Sequence, residues 1–160
     1  MKELQTIIDV VEFAVAIEKN GKEFYEKVSS NFTDKRVTEI FKKLSEDENQ
    51  HIVDFTEILD KVKKYSPEQA YPEEYFLYFN KIASNHIFNK ENFFKIVFKN
   101  IKDAIEAIDI GIDFERQSVD FYENIKKIMH EDSRHLIDKL IEQEKVHEKK
   151  LRDQKEKMFS

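Results

Sequence analysis

Cysteine is absent from the 160-residue chain, and glycine and proline occur only twice each. Ordinary usage would supply roughly 11 glycines and 8 prolines at this length. So few turn-formers exclude a β-sandwich or barrel, which needs a turn about every 8–12 residues. Long helices with few connections remain. Without cysteine there is no disulfide framework, zinc ribbon, iron–sulfur cluster or thiol nucleophile. Long apolar runs are missing too, and the start, Met1-Lys2-Glu3-Leu4-Gln5, lacks the basic and apolar regions of a signal peptide. A soluble cytoplasmic protein without a membrane partner is the expectation. The net charge is −6 with no block of Lys or Arg, so nucleic acid is not an expected ligand. The length suits one domain, residues 1–160, burying roughly two-thirds of its unfolded surface.

What is present is helical periodicity. Val10, Ala14, Ile17, Gly21, Phe24 and Val28 recur at steps of three and four, which predicts a first helix over about Leu4–Ser30. Thr33 is the expected N-cap of a second helix running to about Tyr65, with Val37, Ile40, Leu44, Phe55, Leu59 and Val62 on one face. Ser66-Pro67 is its expected stop. Residues 66–102 read as a long crossover with a short helix over about Glu73–Phe88 and another after Asn92. The aromatic cluster at 71–79 reads as a hydrophobic lid or dimer contact rather than a cofactor site. A third long helix starts near Asp103, where Asp103-x-x-Glu106 has the form of a capping box, and ends near Met129. A break at 130–132 opens the fourth, to about Lys157. Two antiparallel helix pairs joined by a crossover make an all-α four-helix bundle of up-down-down-up topology.

The two halves carry a repeat. Glu18 is followed six and seven residues later by Phe24-Tyr25, and Glu115 at the same distances by Phe121-Tyr122. Glu48-Asn49-Gln50-His51 begins 30 residues after Glu18, and Glu144-Lys145-Val146-His147 begins 29 residues after Glu115. A single Glu-x-x-His means little. Asp132-x-x-His135 shows how easily such spacings arise, and it reads as a solvated first turn. The shared register is the signal. Leu44, Glu48, His51 and Phe55 form one helical stripe, as do Leu140, Glu144, His147 and Leu151. Glu18 and Glu115 lie between small residues on apolar faces. Four glutamates and two histidines therefore point into one interior, with no Lys or Arg on those stripes at that level.

A buried carboxylate protonates or pairs. Four glutamates bring −4 with the histidines neutral, and two divalent cations would balance them. An oxygen-rich set with one imidazole per ion suits iron or manganese, with zinc an alternative on affinity.

This arrangement resembles the ferritin-like di-metal carboxylate proteins and, within them, the rubrerythrin-related group. The resemblance spans roughly residues 4–155. It implies that Glu18, Glu48 and His51 serve one half of a two-iron site and Glu115, Glu144 and His147 the other, with Glu48 and Glu144 bridging. It implies that Asp47 accepts from the far nitrogen of His147, a place taken by Gln143 in the other half, and that Tyr25 and Tyr122 bond ligand carboxylates across the bundle. It further implies an oxidoreductase that reduces hydrogen peroxide or O2. The pattern departs from the family in places. No four-cysteine rubredoxin domain is available, so a separate electron donor is expected. Ser118 stands where rubrerythrins carry an extra glutamate, and the crossover is longer. Only 13 residues follow His147, which disfavours the storage cage of ferritins; a homodimer is the expected assembly. The alternatives are an iron-handling ferroxidase or sequestering protein, and a non-catalytic module whose metals only stabilise the helices. His86, His130 and His135 lack matching partners and are not expected to be ligands. Gly21 and Gly111, each within a turn of a ligand glutamate, are expected to leave space for metals and a small oxidant.

Overall fold

The computed structural model describes residues 3–65, 71–99, 101 and 103–159. The first two residues of the chain and the Ser66-Pro67 stop lie outside the described residues. Six helices follow one another: α1 Ile7–Asn31, α2 Lys35–Tyr65, α3 Glu73–Asn85, α4 Lys90–Phe98, α5 Ala104–Ile128 and α6 Glu131–Phe159. No strand occurs among the described residues. The long helices α1, α2, α5 and α6 form the expected ferritin-like bundle. α1 packs along α2 and α5 along α6, and the pairs meet through α1 against α5 and α2 against α6. The crossover carries α3, which touches α5, and α4, which touches α1.

Local chemistry sets the boundaries. α1 begins with a full capping box: Thr6 Oγ1 accepts from the Asp9 N–H at 3.1 Å, and the Asp9 carboxylate accepts from the Thr6 N–H at 3.1 Å. α2 starts one residue later than the Thr33 cap predicts. Asp34 takes that role: its carboxylate accepts from the Arg36 N–H at 2.9 Å and its carbonyl from Thr38 at 2.9 Å. A carboxylate at the helix N-terminus also meets the positive end of the dipole, which a hydroxyl cannot match. Asp103 caps α5 by accepting from the Ile105 N–H at 2.8 Å. The reciprocal half of that box is missing, because Glu106 pairs with Lys99 instead.

The buried stripe of α2 differs in detail from the sequence reading. Phe41 and Ile58 are fully buried, whereas Ile40 and Leu59 sit at its flanks. Either choice satisfies helical spacing, and packing decides between them. The aromatic cluster divides. Phe79 is buried against Phe121, with ring centroids 5.6 Å apart, and the Tyr71 hydroxyl donates to the Ile128 carbonyl at 2.9 Å. Tyr75, Leu77 and Tyr78 face outward.

Amide side chains pin the crossover to the bundle. Asn80 clamps both backbone polar groups of Leu4, at 2.7 and 2.8 Å. Gln117 of α5 accepts from the Ile87 N–H at 2.6 Å, and Asn20 of α1 donates to the Phe88 carbonyl at 2.9 Å. The space beside the two glycines belongs to neighbouring side chains, not to metals or an oxidant. A Cβ on Gly21 would lie 2.4 Å from the Phe114 ring, and one on Gly111 would lie 3.0 Å from Leu151 Cδ1.

Candidate metal centre

Each of the four long helices delivers its residues to one level of the bundle. Glu18 comes from α1, Glu48 and His51 from α2, Glu115 from α5, and Glu144 and His147 from α6. All six are buried, the glutamates completely. They form two interlocking groups, Glu18–Glu48–His51–Glu144 and Glu48–Glu115–Glu144–His147, each with donor atoms within 4.8 Å of one another. Glu48 and Glu144 belong to both groups.

The outer edges of the site are satisfied. The Tyr25 hydroxyl donates to Glu115 Oε1 at 2.6 Å, and the Tyr122 hydroxyl donates to Glu18 Oε1. Each tyrosine therefore holds the glutamate of the opposite half. His147 Nε2 lies 3.0 Å from Asp47 Oδ2, and His51 Nε2 lies 3.0 Å from Gln143 Oε1. Both partners are acceptors, so both imidazoles carry their proton on Nε2 and turn Nδ1 inward when neutral. The two rings stack at 5.4 Å.

The inner edges are not satisfied. Both oxygens of Glu48, both of Glu144, Oε2 of Glu115 and Nδ1 of His147 lack a hydrogen-bond partner. His51 Nδ1 approaches Glu144 Oε1 at 2.6 Å, a close charge contact without hydrogen-bond alignment. Buried polar atoms are almost always paired, so a cluster of unpaired atoms facing one volume could hold a metal ion there. The donor set is six carboxylate-rich ligands with no thiolate. It fits two iron ions and, on the same chemistry, manganese.

Protonation compensates part of the buried charge. Burial alone would lower the His147 pKa, but Glu115 and Glu48 outweigh it and carry it up to about 10. His51 is raised the same way, with Glu48 overcoming burial. Burial, aided by the charge of Glu48, lifts Glu115 to about 7, while the two histidines hold Glu48 below its ordinary range. The sign for stability follows. The native state keeps protons that the unfolded chain has released, so the stabilisation from His147 is complete below pH 6.5 and is lost as the pH rises to about 10. That from Glu115 is complete below 4.5 and is lost by about 7. The chelator-treated protein is therefore expected to unfold at progressively lower urea concentration from pH 5 to pH 10. A midpoint that rises over this range would contradict the buried cluster.

Of the other histidines, His130 is exposed and pairs with exposed Asp132 at 3.4 Å, and His135 is exposed. His86 is different. It is 1% exposed and bonded to Ser118 of α5. Periodicity could not have found it, because it belongs to a turn between two short helices. Its only hint was the small residue at 118.

A four-helix bundle whose interior gathers four glutamates and two histidines defines a ferritin-like protein with a carboxylate–histidine centre able to hold a pair of metal ions. The rubrerythrin family model matches residues 9–155, and the chain belongs to the rubrerythrin family. Comparison with curated proteins and with solved structures gives no match. No helix among the described residues is long and apolar enough to cross a membrane.

Proposed function

We propose that this protein is a di-iron oxidoreductase that reduces hydrogen peroxide, or O2, with electrons supplied from outside these 160 residues. The observation that carries the reading is the set of unpaired oxygens on Glu48 and Glu144, shared between both halves of the cluster. When bound, two iron ions supply the electrons that the oxidant takes up. The protein's own residues hold the geometry and exclude competing reactions. Tyr25 and Tyr122 each occupy one oxygen of Glu115 and Glu18; the second oxygen of Glu115 has no partner, and that of Glu18 faces His51 Nδ1 at 3.3 Å. Asp47 and Gln143 hold the imidazoles in the tautomer that presents Nδ1. Tyr25 and Tyr122 are themselves fully buried, and burial followed by the nearby glutamates raises their pKa well above the ordinary value. They stay protonated and remain hydrogen-bond donors. A cavity of about 380 Å³ between α2 and α6, lined by Asp47, His51, Gln143 and His147, provides the route for a small oxidant. The exposed Tyr75, Leu77 and Tyr78 of α3 are the surface we assign to homodimer contact.

The test is anaerobic loading with two equivalents of Fe(II) per chain, followed by hydrogen peroxide and a colorimetric measure of remaining Fe(II). Oxidation at least tenfold faster than for the same iron in buffer is expected. A rate equal to that of free iron would overturn the proposal. Iron handling is separated by assembly and stoichiometry. A dimer that saturates at about two metals per chain excludes a storage shell, while many irons per chain in a large assembly would establish one.

A further inference from the structure

The repeat differs between its halves at the residue just before each shared glutamate. Asp47 precedes Glu48, and Gln143 precedes Glu144. Each of these side chains reaches the opposite helix and meets the outer nitrogen of an imidazole. His147 Nε2 lies 3.0 Å from Asp47 Oδ2, and His51 Nε2 lies 3.0 Å from Gln143 Oε1. The distances match, so the difference is chemical. A full negative charge stands behind His147 and a neutral amide behind His51. Asp47 is fixed by its other oxygen too, since Oδ1 accepts from Lys43 Nζ at 2.9 Å. Asp54, one turn beyond His51, does not make up for the missing charge. Its carboxylate is engaged elsewhere, by Gln50 Nε2 at 3.0 Å and Lys139 Nζ at 3.9 Å.

A cation held at Nδ1 draws electron density from the ring and makes its outer N–H a stronger donor. An acceptor that carries charge gains most from this, because hydrogen bonds to ionised groups are roughly twice as strong as those between neutral ones. The same bond raises the basicity of the nitrogen that faces inward. His147 is therefore the better ligand of the two imidazoles. The remaining donors are matched. Glu18 and Glu115 are each held by a tyrosine of the opposite half, and Glu48 and Glu144 belong to both groups.

We infer that Asp47 and Gln143 are positioning residues that make the two metal positions unequal, and that the position served by His147 fills first. The inference rests on the metal-binding reading above. Loss of a partner behind a metal-bound histidine costs 10–100-fold in affinity. An amide in place of a carboxylate keeps an acceptor, so the expected difference is at the low end, about tenfold.

The experiment is equilibrium dialysis of the metal-free full chain against Co(II), with proton NMR of the shifted imidazole N–H signals as Co(II) is added. His51→Gln and His147→Gln, which each keep one of the two ring N–H groups, identify the signals. In the wild type the His147 N–H is expected to shift with the first equivalent and the His51 N–H with the second. Asp47→Asn should weaken the tighter site about tenfold, leave the other unchanged and make both signals shift together. Gln143→Glu should strengthen the weaker site about tenfold, again with both signals shifting together. The double exchange Asp47→Asn/Gln143→Glu should reverse the order, so that His51 responds first. Glu142→Gln, which removes a charge from the same cavity without touching an imidazole, should change neither site. A wild type in which His51 responds first, variants that move both sites equally, an effect matched by Glu142→Gln, or a double exchange that keeps the wild-type order would each overturn the inference. A wild type that binds no Co(II) would instead overturn the metal reading itself. Both substitutions preserve side-chain size at half-buried positions, and if one fails to fold the other decides.

Discussion

Replacing Glu48 and Glu144 together by leucine is expected to abolish metal binding and, in the metal-free protein, to raise stability. The two effects have one cause. Both carboxylates are completely buried, and none of their four oxygens has a hydrogen-bond partner. The nearby imidazoles offset the cost of burying these carboxylates only in part, since none of the four oxygens has an aligned donor. Two of the three glutamates of each group disappear in the double variant, and no pair of ions can be retained by what is left. What remains is balanced on its own: Glu18 and Glu115, each held by a tyrosine, face two imidazoles. Exchanging buried ionic groups for apolar ones of similar volume is often stabilising by about 1–4 kcal/mol. The metal count per chain, by elemental analysis, should fall from two to none. The urea midpoint of the chelator-treated variant should rise above that of the chelator-treated parent. If metal content survives, Glu48 and Glu144 are not the shared ligands. Such an inverse relation is what a site selected for function at the expense of the fold looks like.

The second large effect is structural. Gly21→Ala is expected to destabilise the protein although it improves helix propensity. The gain from propensity is roughly 1 kcal/mol. Against it stands a Cβ placed 2.4 Å from the tip of the Phe114 ring. That ring cannot swing aside. It is fully buried and packed against Phe88 at 4.8 Å, Tyr25 at 5.9 Å and His86 at 5.9 Å. Overpacking of this kind costs about 3 kcal/mol at its upper end, leaving a net loss near 2 kcal/mol and a fall in Tm of roughly 4–8 °C. Phe114 precedes Glu115, so the displaced ring also disturbs Tyr25 and the glutamate it holds. Adding Phe114→Leu should restore much of the loss, because the two sites touch and their effects are not additive. Gly111→Ala is the contrast. Its nearest neighbour is a leucine methyl at 3.0 Å, the end of a flexible side chain, and the effect should be small. Equal losses at the two glycines would show that Phe114 is not the obstacle.

The architecture and the buried cluster of four glutamates and two histidines were legible in one dimension. Scarce glycine and proline, together with a 3.6-residue apolar period, leave a helical bundle as the only economical way to bury those stripes. The spacing of Glu18, Glu48-x-x-His51, Glu115 and Glu144-x-x-His147 places six ionisable groups on inward faces, and four negative charges demand compensation whatever the exact packing. These properties depend only on which face of a helix a residue occupies, and periodicity states that directly. The pairing of Asp47 with His147 was visible only through family likeness.

Other features depend on which helix meets which, and only the tertiary structure decided them. Helical spacing permits Ile40 or Phe41, and Leu59 or Ile58, in the core of α2; packing buries Phe41, against Phe24 and Tyr25 of α1, and Ile58. Thr33 and Asp34 are both good caps, and the position of the first helical turn selected Asp34. The glycines read as room for metals are room for Phe114 and Leu151, because close approach is settled by the depth to which a neighbouring side chain reaches, not by sequence distance. His86 is the clearest case. It lies 32 residues from Ser118 and on no periodic stripe, yet it is bonded to Ser118 within the core. The amino-acid sequence by itself determined that this protein would gather four carboxylates and two imidazoles in a helical interior. Only the fold could close the crossover over that interior, because that requires contacts between segments whose separation along the chain carries no information about their distance in space.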